Sequence, residues 1–120
     1  MRQVNNEAER LSVKEDAINT ASELEKKYNK KVYPITVDLP NEVVVGFISE
    51  PTLPNKMTAI NYLAQQQIDK AGQVILSTSL IKEESDVRLC MNGGDDDVFI
   101  SACLVANSLL NVYAVEIKKK

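Results

Sequence analysis

A chain of 120 residues, 44% apolar and 26% charged with a net charge of −3, is sized for one domain around one core, residues 1–120. Its acidic balance gives no basis for broad attraction to nucleic acid or to an anionic membrane. The absence of histidine removes the commonest general base, zinc ligand and triad member.

Residues 1–10 are polar and are expected to be flexible. They lack the apolar core of a signal peptide, and no run approaches the ~20 apolar residues of a membrane span. A helix is expected over residues 12–29. Ser12 and Glu15 have capping-box spacing, which lets each satisfy an orphan backbone donor of the first turn. Ala17, Ile18, Ala21, Leu24 and Tyr28 form a thin apolar side that has to pack on something.

Residues 31–49 read as a hairpin. Tyr33, Ile35, Val37 and Leu39 alternate with Pro34, Thr36 and Asp38, the period of a strand. Pro34 cannot donate to a ladder, so this strand belongs at an edge or begins after the proline. Pro40-Asn41 suits the turn. In the second strand Val43, Val45 and Phe47 alternate with Val44, Gly46 and Ile48. Both of its faces are apolar and need cover from helices of this chain or strands of another.

Residues 55–120 read as the helical part. Glu50-Pro51 and Pro54 form a stiff connector. A helix follows with Met57, Ile60, Leu63, Ala64 and Ile68 inward, and Lys70-Ala71-Gly72 is a candidate interruption. Residues 74–81 fit a further helix better than a strand, since strict alternation is missing. Residues 82–86 form a charged loop, and residues 87–91 a short apolar turn.

Gly93-Gly94 then breaks the chain, and Asp95-Asp96-Asp97 places negative charge at a helix start. Phe99, Ala102, Cys103, Ala106, Leu109, Leu110, Tyr113 and Ile117 recur at spacings of three and four, which predicts one long amphipathic helix over residues 98–117. Lys118, Lys119 and Lys120 suit its C-terminal end. Ile100, Leu104 and Val115 lie off this stripe. They are either scattered surface hydrophobes or a second stripe that meets another chain.

The order of elements is that of an α+β domain: a small antiparallel hairpin or sheet packed with several helices, on one face of the sheet, and a long C-terminal helix. Chemistry is sparse. Capping accounts for the aspartates without a metal ion, and the stretch lacks the alternating ligands and late glutamate of an EF-hand loop. Cys90 and Cys103 sit in apolar surroundings; free thiols are expected, and neither has a histidine to activate it. No catalytic, cofactor-binding or metal residue is assigned, and no cofactor. The chain is expected to be a non-enzymatic binding or assembly protein.

Gly94-Asp95-Asp96-Asp97-Val98-Phe99-Ile100-Ser101-Ala102, the apolar stretch after it, and the closing Val115-Glu116-Ile117-Lys118-Lys119-Lys120 resemble the C-terminal region of small proteins from tailed-phage and prophage structural clusters, described as tail assembly chaperones. The hairpin, the Glu50-Pro51 connector and the helix carrying Met57, Thr58 and Ala59 are similar in order, so the resemblance spans roughly residues 30–120. It implies a chaperone that coats an apolar client, the tape measure protein, in the cytoplasm of a bacterial host. Ile100, Leu104 and Val115 are the candidate partner contacts. The alternative is a minor virion component, a connector or ring subunit forming a closed homo-oligomer. A third possibility, a small-ligand-binding domain, requires a closed pocket of about 300 Å³ or more. Neither nucleic acid nor membrane is expected as a partner.

Overall fold

The computed structural model describes residues 2–118. Its elements are β1 (Arg2–Gln3), α1 (Glu7–Tyr28), β2 (Val32–Asp38), β3 (Glu42–Ser49), α2 (Leu53–Ala64), α3 (Ile68–Ser79) and α4 (Asp96–Ala106). Single 3-10 turns lie at Lys82–Glu84, Val87–Leu89 and Asn107–Leu109. The fold is α+β, as the element order predicts.

The hairpin forms at the expected place. β2 and β3 pair antiparallel from Val32 opposite Ser49 to Asp38 opposite Val43, and the sheet order is β1-β3-β2. β3 is therefore central and β2 is an edge, which is where Pro34 can be tolerated. Alternation along β3 feeds two cores. Val44 and Ile48, with Ile35 of β2, face Ala71, Ile75, Leu76, Leu89, Val98, Ala102 and Cys103. Phe47, with Val32, faces Ala17, Ala21 and Leu24 of α1. The helices thus cover both faces of the sheet rather than one: α1 on one side and α2, α3 and α4 on the other. The apolar residues on both faces of β3 are the physical reason.

The N-terminal stretch departs from expectation. Residues 2–10 are structured, because Arg2 and Gln3 pair with Val43 and Glu42 and Val4 is buried with Val13 and Val43. Asn6, not Ser12, caps α1; its side chain accepts from the Glu9 N–H at 2.9 Å, while Glu9 accepts from the Asn5 N–H at 2.7 Å. The helix gains more than a turn over the expected range because this earlier cap competes with the Ser12–Glu15 pair. Arg10 then ties α1 to the hairpin turn by donating to the carbonyls of Leu39 at 2.6 Å and Pro40 at 3.0 Å. Ile18 falls on the exposed side of α1.

α2 and α3 are separated at residues 65–67, where Gln66 adopts a left-handed φ of 62°, and not at Lys70-Ala71-Gly72. Gly72 lies inside α3. A Cβ there would sit 1.5 Å from the carbonyl oxygen of Cys103, so the glycine lets α3 and α4 cross in backbone contact. Met57 and Ile68 are exposed, contrary to their expected inward placement. Residues 74–79 are helical, and Leu80 after them makes an isolated bridge to Ile48.

The largest correction concerns the C-terminal helix. Asp95 caps it as expected, its carboxylate accepting from the Val98 N–H at 3.2 Å. The helix ends at Ala106, adds one 3-10 turn to Leu109, and residues 110–118 carry no regular structure. α4 is stabilised by its packing on α3, and no element of the body lies beyond Leu109 to extend that packing. Asn107, Ser108 and Asn111, together with the β-branched Val112, Val115 and Ile117, supply no compensating helix propensity. Residues 119 and 120, expected at the helix end, lie outside the described residues.

Candidate functional site

The candidate site lies where α4 faces the outer edge of β2, with the extended residues 111–118 following α4 in the chain. The Leu39 N–H bonds the Glu42 carbonyl and the Glu50 N–H bonds the Lys31 carbonyl, so odd-numbered positions of β2 face β3. The backbone groups of Val32, Pro34, Thr36 and Asp38 therefore point away from the sheet. The Val32 N–H is taken by the Glu25 carboxylate at 3.1 Å, and proline has no N–H to offer. The Thr36 N–H and the carbonyls of Pro34 and Thr36 are left as an open edge.

The other side of the sheet shows no such opening. There the Val45 carbonyl accepts from the Asp86 N–H at 3.0 Å, the Phe47 carbonyl from the Ile81 N–H at 2.8 Å, and the Phe47 N–H donates to the Ser85 hydroxyl at 2.9 Å. Arg88 holds this closing segment in place, donating to Glu42 at 2.8 Å and to Asp86 at 3.1 Å. Burial disfavours the Asp86 carboxylate, but the side-chain and backbone hydrogen bonds from Arg88 outweigh it and hold its pKa below the ordinary value.

Two contiguous hollows of about 200 and 260 Å³ run between the β2 edge and α4, sharing Ile35, Thr36 and Val105. Tyr33 and Leu109 close one end, and Asp38 and Ser101 the other. At the Tyr33 end a polar clamp fixes the strand: the Tyr33 hydroxyl donates to Glu50 at 2.5 Å, and Lys56 meets the same carboxylate at 2.5 Å. The bond to Glu50, with burial, pushes the Tyr33 pKa up to about 12. Lys56 first, and Tyr33 second, hold Glu50 below its ordinary value.

Of the three candidate contacts, Ile100 and Leu104 stand one turn apart on the outer face of α4, 52% and 51% exposed. Val115, 84% exposed, is not on that face, because the helix has ended. It belongs to the C-terminal arm with Val112, Tyr113 and Ile117, all more than three-quarters exposed. Tyr113 and Ile117 were expected in the core stripe and lie outside it. The missed signal is short: in an extended chain Tyr113, Val115 and Ile117 fall on one side with Asn111, and Val112, Ala114 and Glu116 on the other, so the large apolar residues from 113 onward share a face. An edge position for β2 was one of the two readings of Pro34, but its place beside Ser101, Ala102 and Val105 of α4 was not legible.

A larger cleft lies elsewhere. It holds about 490 Å³ between α1 and residues 83–86, and is lined by Asp16, Glu83, Glu84 and Asp86. It is open to solvent rather than the closed pocket that a small ligand requires. Glu84 pairs with Lys27 at 3.3 Å and Asp86 with Arg88. Among the described residues no cluster of three or more Cys, Asp or Glu is placed to hold a metal ion. Cys90 and Cys103 are free thiols. Burial, with a smaller contribution from Asp69, pushes Cys103 up to about 11, which leaves it protonated and a poor nucleophile at neutral pH. Among the described residues no helix is long and apolar enough to cross a membrane.

No family model matches the chain, and no curated protein or solved structure matches it at a significant level.

Proposed function

We propose that this chain is a non-enzymatic assembly protein that binds an apolar segment of another protein. The observation that carries this reading is that seven of the fourteen exposed large apolar side chains among the described residues fall in residues 100–117, with Ile100 and Leu104 on α4 and Val115 on the arm. Isolated surface hydrophobes need no explanation, but so many in one segment, beside an apolar groove that Val105 lines, suit a binding surface. The resemblance to tail assembly chaperones makes the tape measure protein of a tailed phage or prophage the proposed client. The host cytoplasm is then the proposed site of action.

Co-expression with the tape measure protein from the chain's own gene cluster tests this. The client is expected to stay soluble with the wild-type chain and to precipitate with an Ile100→Ser/Leu104→Ser/Val115→Ser variant that retains its circular dichroism. A client equally soluble with both chains, or precipitating with both, contradicts the reading. So does a cluster that encodes no tape measure protein.

A second reading, a ring or connector subunit retained in the particle, is favoured by one observation. The arm reaches away from the body, as the arms of interlocked subunits do. That reading requires a closed oligomer of fixed mass whose contacts bury about 1,000 Å² or more each.

A further inference from the structure

The arm and the open edge are complementary in this chain. The molecule measures 61 × 31 × 26 Å, and its radius of gyration of 15.8 Å exceeds the roughly 13.5 Å of a compact domain of this length. Residues 111–118 are exposed throughout and leave the body after Leu110. At about 3.3 Å per residue this arm reaches roughly 26 Å, enough to run along the 7-residue β2.

We infer that residues 111–118 of one copy add as a fourth strand to the β2 edge of a second copy, seating Tyr113, Val115 and Ile117 in the groove between β2 and α4. Four features carry this. The edge offers the Thr36 N–H and the carbonyls of Pro34 and Thr36 to an incoming backbone, which is the requirement for strand addition. The groove beside it is apolar on the α4 side, through Ile35, Val105 and Leu109, where the apolar side of the arm would lie. The opposite side of the arm carries Val112, Ala114, Glu116 and Lys118, of which Glu116 and Lys118 suit the α1 side, where the edge is polar through Thr36 and Asp38. Glu25 stands at the Val32 end of that edge, within reach of Lys118 when the arm runs antiparallel to β2, whereas Asp38 at the other end is already paired with Lys14 and Arg10. Pro34 limits the pairing by removing one donor, which suits a reversible contact more than an amyloid-like edge.

This inference is independent of the client, and its test contains none. The full chain is sedimented over a wide concentration range beside three variants: one ending at Leu110, Tyr113→Glu/Val115→Glu in the arm, and Thr36→Pro on the edge. Circular dichroism and thermal melting confirm that each is folded. The arm variants leave the body untouched and keep the test decisive if Thr36→Pro fails to fold. The wild-type chain is expected to self-associate, and the arm variants to do so about tenfold or more weakly. A monomer at every concentration overturns the inference, because the arm then stays bare or returns to its own body. Association that survives loss of the arm also overturns it and assigns the contact to the outer face of α4.

Discussion

Two consecutive stretches, α4 and residues 110–118, are similarly rich in apolar side chains and have opposite fates. In α4, Val98, Ala102, Cys103 and Ala106 are buried against α3 and the sheet. In the arm, Val112, Tyr113, Val115 and Ile117 touch almost nothing. An apolar residue every three or four positions therefore does not make a helix by itself. The helix persists as far as the body offers a surface to cover and stops where that surface ends. Beyond that point the local preferences of valine, tyrosine and isoleucine favour an extended chain.

This contrast can be broken from either side. The largest effect is expected at Gly72, where the side chain that alanine adds would meet the α4 backbone at Cys103. Gly72→Ala should cost about 3 kcal/mol, read as a fall in Tm of about 10 °C. An unchanged Tm would mean that the α3–α4 contact is looser than described. Asp95→Ala removes the carboxylate that accepts from the Val98 N–H and should cost about 1 kcal/mol in urea denaturation. If Asp96 or Asp97 takes over as cap, the loss disappears.

A smaller effect concerns the edge on which the arm is inferred to dock. Glu50 is lowered in the folded state, so its contribution is fully present above the ordinary carboxylate range and is lost as pH falls through the lowered value. Glu50→Gln should flatten the acid limb of the Tm–pH curve, by a modest amount because the side chain is one-third exposed. Tyr33 works in the opposite sense: raised to about 12, it favours the folded state below pH ~10 and loses that contribution as pH rises toward 12. Absorbance titration should show one tyrosine ionising late. The smallest effect is expected from ending the chain at Leu110, which should change the stability of dilute protein by no more than about 0.5 kcal/mol. A large loss would show that the arm packs on its own body.

The contrast also shows where sequence is informative. The hairpin was legible to within a residue, because period-two alternation and the Pro40-Asn41 turn are local signals. Pro34 offered two readings, an edge strand or one that begins after the proline; β2 starts at Val32, so the edge reading holds. The Asp95 cap was legible for the same reason. What was not legible depended on distant partners. Nothing near Gly72 announces that Cys103 will lie against it, so the glycine reads as a helix break. Ser12 and Glu15 have the spacing of a capping box, yet Asn6 caps the helix earlier, with Glu9 accepting from the Asn5 N–H, and Val4 finds a buried place beside Val43. Ile100 and Leu104 were identified as exposed from spacing, whereas Val115 was exposed for a different reason, the end of the helix before it.

Hydrogen exchange of the amides in residues 111–118, followed from dilute to concentrated protein, tests the central claim most directly. The arm should exchange freely in dilute solution and become protected together with the Thr36 amide as concentration rises. Protection of the arm at every concentration would contradict the account, since it would place the arm on its own body. Free exchange at every concentration would leave the β2 edge without its inferred partner.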